Sequence, residues 1–344
     1  MKRTKSIIAL VLTTIMSISL LSGCGTKSTS DTKDSAKEVK PVVIQIGYEN
    51  NPGEPLDLAV NQWKKLIEEK SKGSMKVEIF PSSQLGSKND IIDQMIAGSA
   101  VITLADGAFY ADRGVPDMGI TFGPYLFDNW EQCWKLTKSD WWKEQSGKLE
   151  GKGLKLLTSN WMYGDRQTLT KKPVRTVADL KGMKIRVPNN TIQVKGFEVM
   201  GATPTPMSLG DVYTALQQGT IDGLENPLPV LYNGKFQEVA KYLTLDAHIK
   251  NFTTWVTGTT FFSSLTADQQ KILMETGDEA GLYNNTVQEK VSKETLAKFK
   301  EDGVEIIEID SGEFKEAAKK FYSLPEFTSK WTPGLYDKVK ASMK

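Results

Sequence analysis

From residue 42 onward the apolar positions switch between a period of two and a helical period, and the switch points carry turn residues. Residues 42–48 are rich in Val and Ile and read as a strand. Residues 57–70 place Ala59, Trp63, Leu66 and Ile67 on one helical face, and Gly73 follows as a stop. Met75, Val77 and Ile79 alternate with polar neighbours up to Pro81, as a half-buried strand does. Ser87 is placed to cap a helix whose inner face is Ile91, Ile92, Met95 and Ile96, with Gly98 closing it. Residues 101–104 form a third short strand. Strands alternating with helices predict a largely parallel sheet.

A second block of the same kind begins near Leu154. Residues 154–158 read as a strand and 176–182 as a short capped helix. Met183, Ile185 and Val187 alternate with Lys184 and Arg186 up to Pro188. Residues 191–200 read as helix, the run GATPTP as turn, and residues 208–218 as a helix capped by Ser208 and stopped by Gly219. Residues 221–223 are a brief strand and turn. The last third reads as helical, with amphipathic segments at 266–281 and 285–302. Two α/β blocks imply two lobes, and ligands of open α/β sheets sit at the carboxyl ends of the strands.

The amino terminus changes the class. Lys2, Arg3 and Lys5 precede an apolar run up to Leu21 that is too short for a comfortable membrane span. It ends in Leu21-Ser22-Gly23-Cys24, which resembles a bacterial lipobox. Residues 1–23 are then a lipoprotein signal peptide and Cys24 the lipidated residue; a plain export signal with an incidental Cys is the alternative. Residues 24–40, mostly Ser, Thr, Lys and Asp, read as a flexible tether. Cys133 then stands alone in an exported chain and is expected to pack beside Trp130 and Trp134.

Charge and motif content exclude several functions. The 43 Lys and Arg nearly balance the 42 Asp and Glu, so there is no basic excess to hold nucleic acid. There is no GxSxG, HExxH or Walker A pattern, and the first strand runs into GYENNPG, which is not a dinucleotide fingerprint. The single His, His248, reads as a structural hydrogen-bonder, and no Cys/His cluster offers a metal site. Neither a catalytic residue nor a cofactor is expected. Carboxylate pairs leave a glycoside hydrolase formally open.

The informative stretch runs from Tyr163 to Leu228. It contains R-Q-x-x-T, D-L-K-G-x-K-I-R-V-P, G-A-T-P-T-P, Y-T-A-L-Q-x-G and D-G-x-E-N-P, and PSSQLGS stands upstream at residues 81–87. The order and spacing of these pieces resemble the solute-binding proteins of tripartite ATP-independent periplasmic (TRAP) transporters, of the dicarboxylate and sialic-acid type. The resemblance implies a two-lobed periplasmic-binding-protein fold: lobe I from residues 41–163 plus about 252–291, and lobe II from 164–251 plus about 292–344. It also implies a carboxylate clamp made of Arg186, supported by Arg166 and completed by Asn226.

The residues alone say less. Alternation puts Arg186 opposite Ile185 and Val187 near its strand's carboxyl end, where an Arg fork suits a carboxylate; Arg166 by itself is an ordinary surface charge, and Asn226 a turn residue. Asn190 is a further candidate contact. Against the sialic-acid binders, the matching positions hold Glu49 in place of Asn, Leu104 in place of Phe and Leu209 in place of Phe, while Asp106 keeps the acidic character. These replacements argue against sialic acid. Carboxylates at Glu49 and Asp106 would accept hydroxyl hydrogens and repel a second ligand carboxylate. A sugar acid such as a hexuronate or aldonate is therefore expected, with a four-carbon dicarboxylate as the alternative. Trp161 is placed to stack on a sugar face or to sit in the core. The expected partners are the small carboxylate, the membrane through Cys24, and the permease subunits, with the chain itself a monomer. Its expected location is the extracytoplasmic face of the membrane. A ligand-binding partner of a sensor would use the same pocket.

Overall fold

The computed structural model describes residues 40–344; the expected signal segment, Cys24 and nearly all of the tether lie outside the described residues. Among the described residues, no helix is long and apolar enough to cross a membrane. Nine strands form one sheet: β1 Val42–Gly47, β2 Met75–Phe80, β3 Val101–Ala105, β4 Leu154–Thr170, β5 Lys184–Val187, β6 Thr203–Pro206, β7 Gly223–Pro227, β8 Tyr242–Gly258 and β9 Glu305–Glu308. Their order is β2-β1-β3-β8-β4-β7-β5-β6, with β9 also on β8. β1, β2 and β3 are mutually parallel, as are β5, β6 and β7, so each end of the sheet repeats the α/β pattern legible in the sequence.

What joins the two ends was not legible. β4 and β8 are antiparallel strands of 17 residues each, paired from Leu154–Gly258 to Thr170–Tyr242. At roughly 3.3 Å per residue each spans about 55 Å, enough to traverse both lobes. β3 pairs with the last part of β8, while β7 pairs with the last part of β4. The pairing slips at several points between Leu156 and Thr168, at the middle of the two strands, where bulges bend and twist a ribbon. Of these strands the sequence reading caught only 154–158. Both faces of β8 are covered, so its burial shows no alternation, and its polar residues Asp246, His248 and Asn251 are buried as well.

Two more expectations are corrected. GATPTP is an edge strand, not a turn: the Thr203 amide donates to the Met183 carbonyl just before β5 at 2.8 Å and the Met207 amide to the Val187 carbonyl at 3.2 Å, while Pro204 and Pro206 fall where the ladder asks for no donor. The two C-terminal helical segments are one helix, Ala267–Glu301, of 35 residues. Gly281 does not end it. A Cβ there would lie 2.7 Å from the Trp161 ring, so the glycine lets the helix close onto that indole. Ser87 caps the helix Lys88–Ile96 through a reciprocal capping box with Asp90, whereas Ser208 makes no side-chain cap. Gly219, at φ 76°, ends the helix Val212–Gln218 in the left-handed region.

Candidate functional site

The site forms where β1, β3, β4, β5, β7 and β8 present polar side chains toward one another. Arg186 on β5 is 1% exposed. Its flanking Ile185 and Val187 face the opposite way, into a core with Leu180, Phe197 and Phe314. The guanidinium Nε and Nη2 donate to the Met207 carbonyl at 3.0 and 2.7 Å. That uses two of the five N–H groups of an arginine. Among the described residues no carboxylate lies within ion-pair distance of it. Burial holds its pKa below the usual value despite the nearby carboxylates of Glu49 and Glu225.

Arg166 on β4 is arranged differently. Its fork meets the buried carboxylate of Glu225: Nε donates to Oε2, and Nη2 to Oε1 at 2.6 Å and to the Glu225 carbonyl at 3.1 Å. Nη1 donates to Asn251 Oδ1 at 3.0 Å. Four of its five N–H groups are thereby engaged, so Arg166 has one donor left where Arg186 has three. His248, fully buried on β8, continues the network: Nε2 lies 3.2 Å from Glu225 Oε2 and Nδ1 3.1 Å from Asp246 Oδ2. Burial disfavours its charged form, but Asp246 and Glu225 outweigh burial and raise the imidazole to about 9. Burial would raise Glu225, yet Arg166 and His248 hold that carboxyl well below the ordinary range. This alternation of charges keeps Arg166 rigid.

A small cavity of about 10 Å³ lies against these groups. Arg166 and Asn226 line it together with Tyr163, Gln193, Asn251 and Thr253. Glu49, Asp106, Lys88 and Phe109 line it as well. Asp106 stands at the end of β3 and caps the next helix, its Oδ1 accepting from the Ala108 amide at 3.0 Å. Burial pushes its carboxyl up in spite of Lys88. Glu49 is ion-paired with Lys88 at 3.1 Å, both side chains largely buried. Burial opposes ionisation of Glu49, but Lys88 and then Arg186 hold its carboxyl below the usual value. A wider groove of about 900 Å³ lies on the outside, between the helices Asp140–Glu150 and Ala267–Glu301. None of its charged side chains is buried, so it lacks the convergent polar groups of a small-molecule site.

The structure thus brings Arg166, Asn226, Glu49 and Asp106 around one cavity, with Arg186 wholly buried at hand. Three other candidates go elsewhere. Trp161 is fully buried in an aromatic core with Trp63 and Trp255, its Nε1 donating to the Gly277 carbonyl at 2.9 Å, and presents no face to a sugar. Asn190 caps the helix Thr191–Val199 and bonds to Gln193 at 2.9 and 2.6 Å; it acts on the cavity through Gln193. Leu209 lines an adjoining hollow of about 170 Å³, which shares Glu49 with the cavity. Sequence reasoning missed Lys88, Gln193 and Asn251. Lys88 had one readable signal: it is the first residue after the Ser87 cap, in the turn a helix presents to a cleft. Cys133 is buried with Trp130 and Trp134 packed on its cluster, and burial pushes its thiol up. Among the described residues no group of His, Cys, Asp and Glu is arranged to hold a metal.

The model of the DctP family, described as bacterial extracellular solute-binding protein, family 7, matches residues 46–328. The chain belongs to this family. It is a TRAP-type solute-binding protein, extracytoplasmic and not an enzyme. It is 33% identical over 276 residues to the 2,3-diketo-L-gulonate-binding periplasmic protein YiaO of Escherichia coli, covering 80% of this chain and 84% of that one. A TRAP periplasmic solute-binding protein from Ochrobacterium anthropi, solved with bound L-fuconate, superposes with a TM-score of 0.85 at 48% identity, covering 88% of this chain and 100% of that one. One from Actinobacillus succinogenes, with bound L-galactonate, gives 0.84 at 41% identity, covering 88% and 99%. The chain therefore has the α/β periplasmic-binding-protein fold of TRAP solute-binding proteins, with a long C-terminal helix.

Proposed function

We propose that this protein captures a sugar acid of the aldonate kind, with Arg186 receiving the carboxylate, and delivers it to the membrane subunits of a TRAP permease. The observation that carries this reading is the buried guanidinium of Arg186, which has three N–H groups without an acceptor and no carboxylate partner among the described residues. A ligand carboxylate would supply what the site lacks, with charge-assisted bonds in a dry environment. Asn226 adds an amide whose buried Oδ1 has no partner, suited to a hydroxyl beside that carboxylate. Relatives that bind L-fuconate and L-galactonate support the same ligand class.

In this reading Arg166 is a supporting group, held by Glu225 and Asn251. Capture proceeds by lobe closure about the irregular middle of β4 and β8. Lobe I is residues 41–163 plus about 252–291, and lobe II 164–251 plus about 292–344. Cys24 carries the lipid anchor, which keeps the protein at the outer face of the membrane; two or three acyl chains make that durable.

The test is a calorimetric titration of the purified protein with L-galactonate, galacturonate, sialic acid, succinate and galactose. Binding of the sugar acids, lost in Arg186→Ala, is the expected result. Binding of succinate in their place would overturn the ligand assignment and leave the family intact. Binding of galactose alone would overturn the clamp.

A further inference from the structure

Between Arg186 and the helix Thr191–Val199 the chain turns a corner whose residues serve two surroundings. Pro188 and Gln193 line the cavity. Ile192 does not; it is 2% exposed and packs in the cluster that holds Ala108, Met118 and Ile120. Gly119 makes room for it: a Cβ there would lie 2.6 Å from Ile192 Cδ1 and 2.9 Å from the Ala111 Cβ. Polar contacts flank this seat. Asp112 Oδ2 accepts from the Thr191 amide at 3.0 Å, and Asn89 Nδ2 donates to the Asn189 carbonyl at 3.2 Å. Arg113 keeps both in register, its Nη2 donating to the Asn89 carbonyl at 3.3 Å and to Asp93 Oδ1 at 2.8 Å.

We propose that residues 189–192 are a latch: Ile192 and Asp112 are positioning residues that hold the two lobes closed and set how long the ligand stays, without touching it. This rests on the closure reading above, in which Asn89, Ala111, Asp112 and Gly119 belong to lobe I and residues 189–192 to lobe II. Asp112 and Asn189 are exposed, so their bonds compete with water and each contributes little. The Ile192 side chain is the larger contribution, because it leaves water only when the lobes meet. A hollow of about 50 Å³ remains beside it, lined by Asp112, Pro116 and Trp331, so the seat is packed less tightly than a core and can be vacated. Neither Ile192 nor Asp112 lines the cavity. The latch therefore acts at one remove: it holds Pro188 and Gln193 in place and favours the closed state for any acid that brings the lobes together.

The test separates association from dissociation. Stopped-flow kinetics on the purified protein use L-galactonate, or succinate should that be the acid the titration above finds bound. Ile192→Ala should speed dissociation at least about 10-fold while association stays within about 2-fold. Asp112→Asn, an exposed change that spares folding, should speed dissociation by about 3-fold. Circular dichroism and the thermal midpoint establish that each variant is folded, and small-angle scattering with and without ligand reports closure. Unchanged dissociation in both variants, with the parent protein still contracting on binding, would overturn the latch and leave closure in place. Weaker binding that arises from slower association would overturn it too, since the corner would then shape the open site. A parent protein that binds without contracting would overturn the closure reading and this proposal with it.

Discussion

Arg166 lines the cavity and Arg186 is buried near it, both on strands of the second α/β block. One is locked by Glu225, Asn251 and the His248–Asp246 chain; the other keeps most of its donors free. Glu49 and Asp106, just after β1 and β3, and Lys88, in the first turn of the helix Lys88–Ile96, line the same cavity, and there the lysine has an anion beside it. On the proposed reading, the difference follows from what each group of residues would recognise. A carboxylate needs a surplus of positive charge held in place before it arrives. A polyol needs donors and acceptors in alternation, with no net field. Rigidity is concentrated in the first group because a charge-assisted clamp loses most of its benefit when its partners must be ordered on binding.

The comparison can be broken most forcefully through Arg166. Arg166→Ala should leave the Glu225 carboxylate buried without its fork and lower stability by about 3–5 kcal/mol, read by urea denaturation. If stability were unchanged, the network would not be the rigid element described. Arg186→Ala, by contrast, should spare stability and cost sugar-acid affinity by roughly 100-fold or more, about 3 kcal/mol, read by calorimetry. A result in which both variants behave alike would erase the distinction between the locked and the free arginine.

Asp106→Asn probes the other group and should be milder, about 1 kcal/mol in affinity, because one hydroxyl acceptor is replaced by a weaker one. A further effect concerns pH. The value for His248 is raised to about 9 in the fold, above the ordinary imidazole value. Its contribution is therefore complete below about pH 6.5 and is lost as the pH climbs through about 9. The thermal midpoint should fall between about pH 7 and about pH 9.5, and His248→Gln should flatten that fall. An equal fall in the variant would remove His248 from the account.

The residues themselves carried much of this protein. Its α/β alternation, the caps at Ser87 and Gly219, and the strand that presents Arg186 opposite Ile185 and Val187 follow from local periodicity, which neighbours in the chain express without help. The clamp residues were legible only through the ordered motifs from Tyr163 to Leu228, since Arg166 and Asn226 alone resemble surface and turn residues. Tertiary structure decided the rest. β8 has covered faces and buried polar side chains, so no pattern announces it, although it brings Asp246, His248 and Asn251 to the site. Gly281 looks like a helix stop and is a packing point for Trp161; that indole in turn belongs to the core and not to the ligand. Above all, Glu49 reads in sequence as a bare carboxylate, and only the fold sets Lys88 beside it. The partner is 39 residues away, and a charge pair closed by a strand and a helix meeting at a cleft leaves no trace in local spacing.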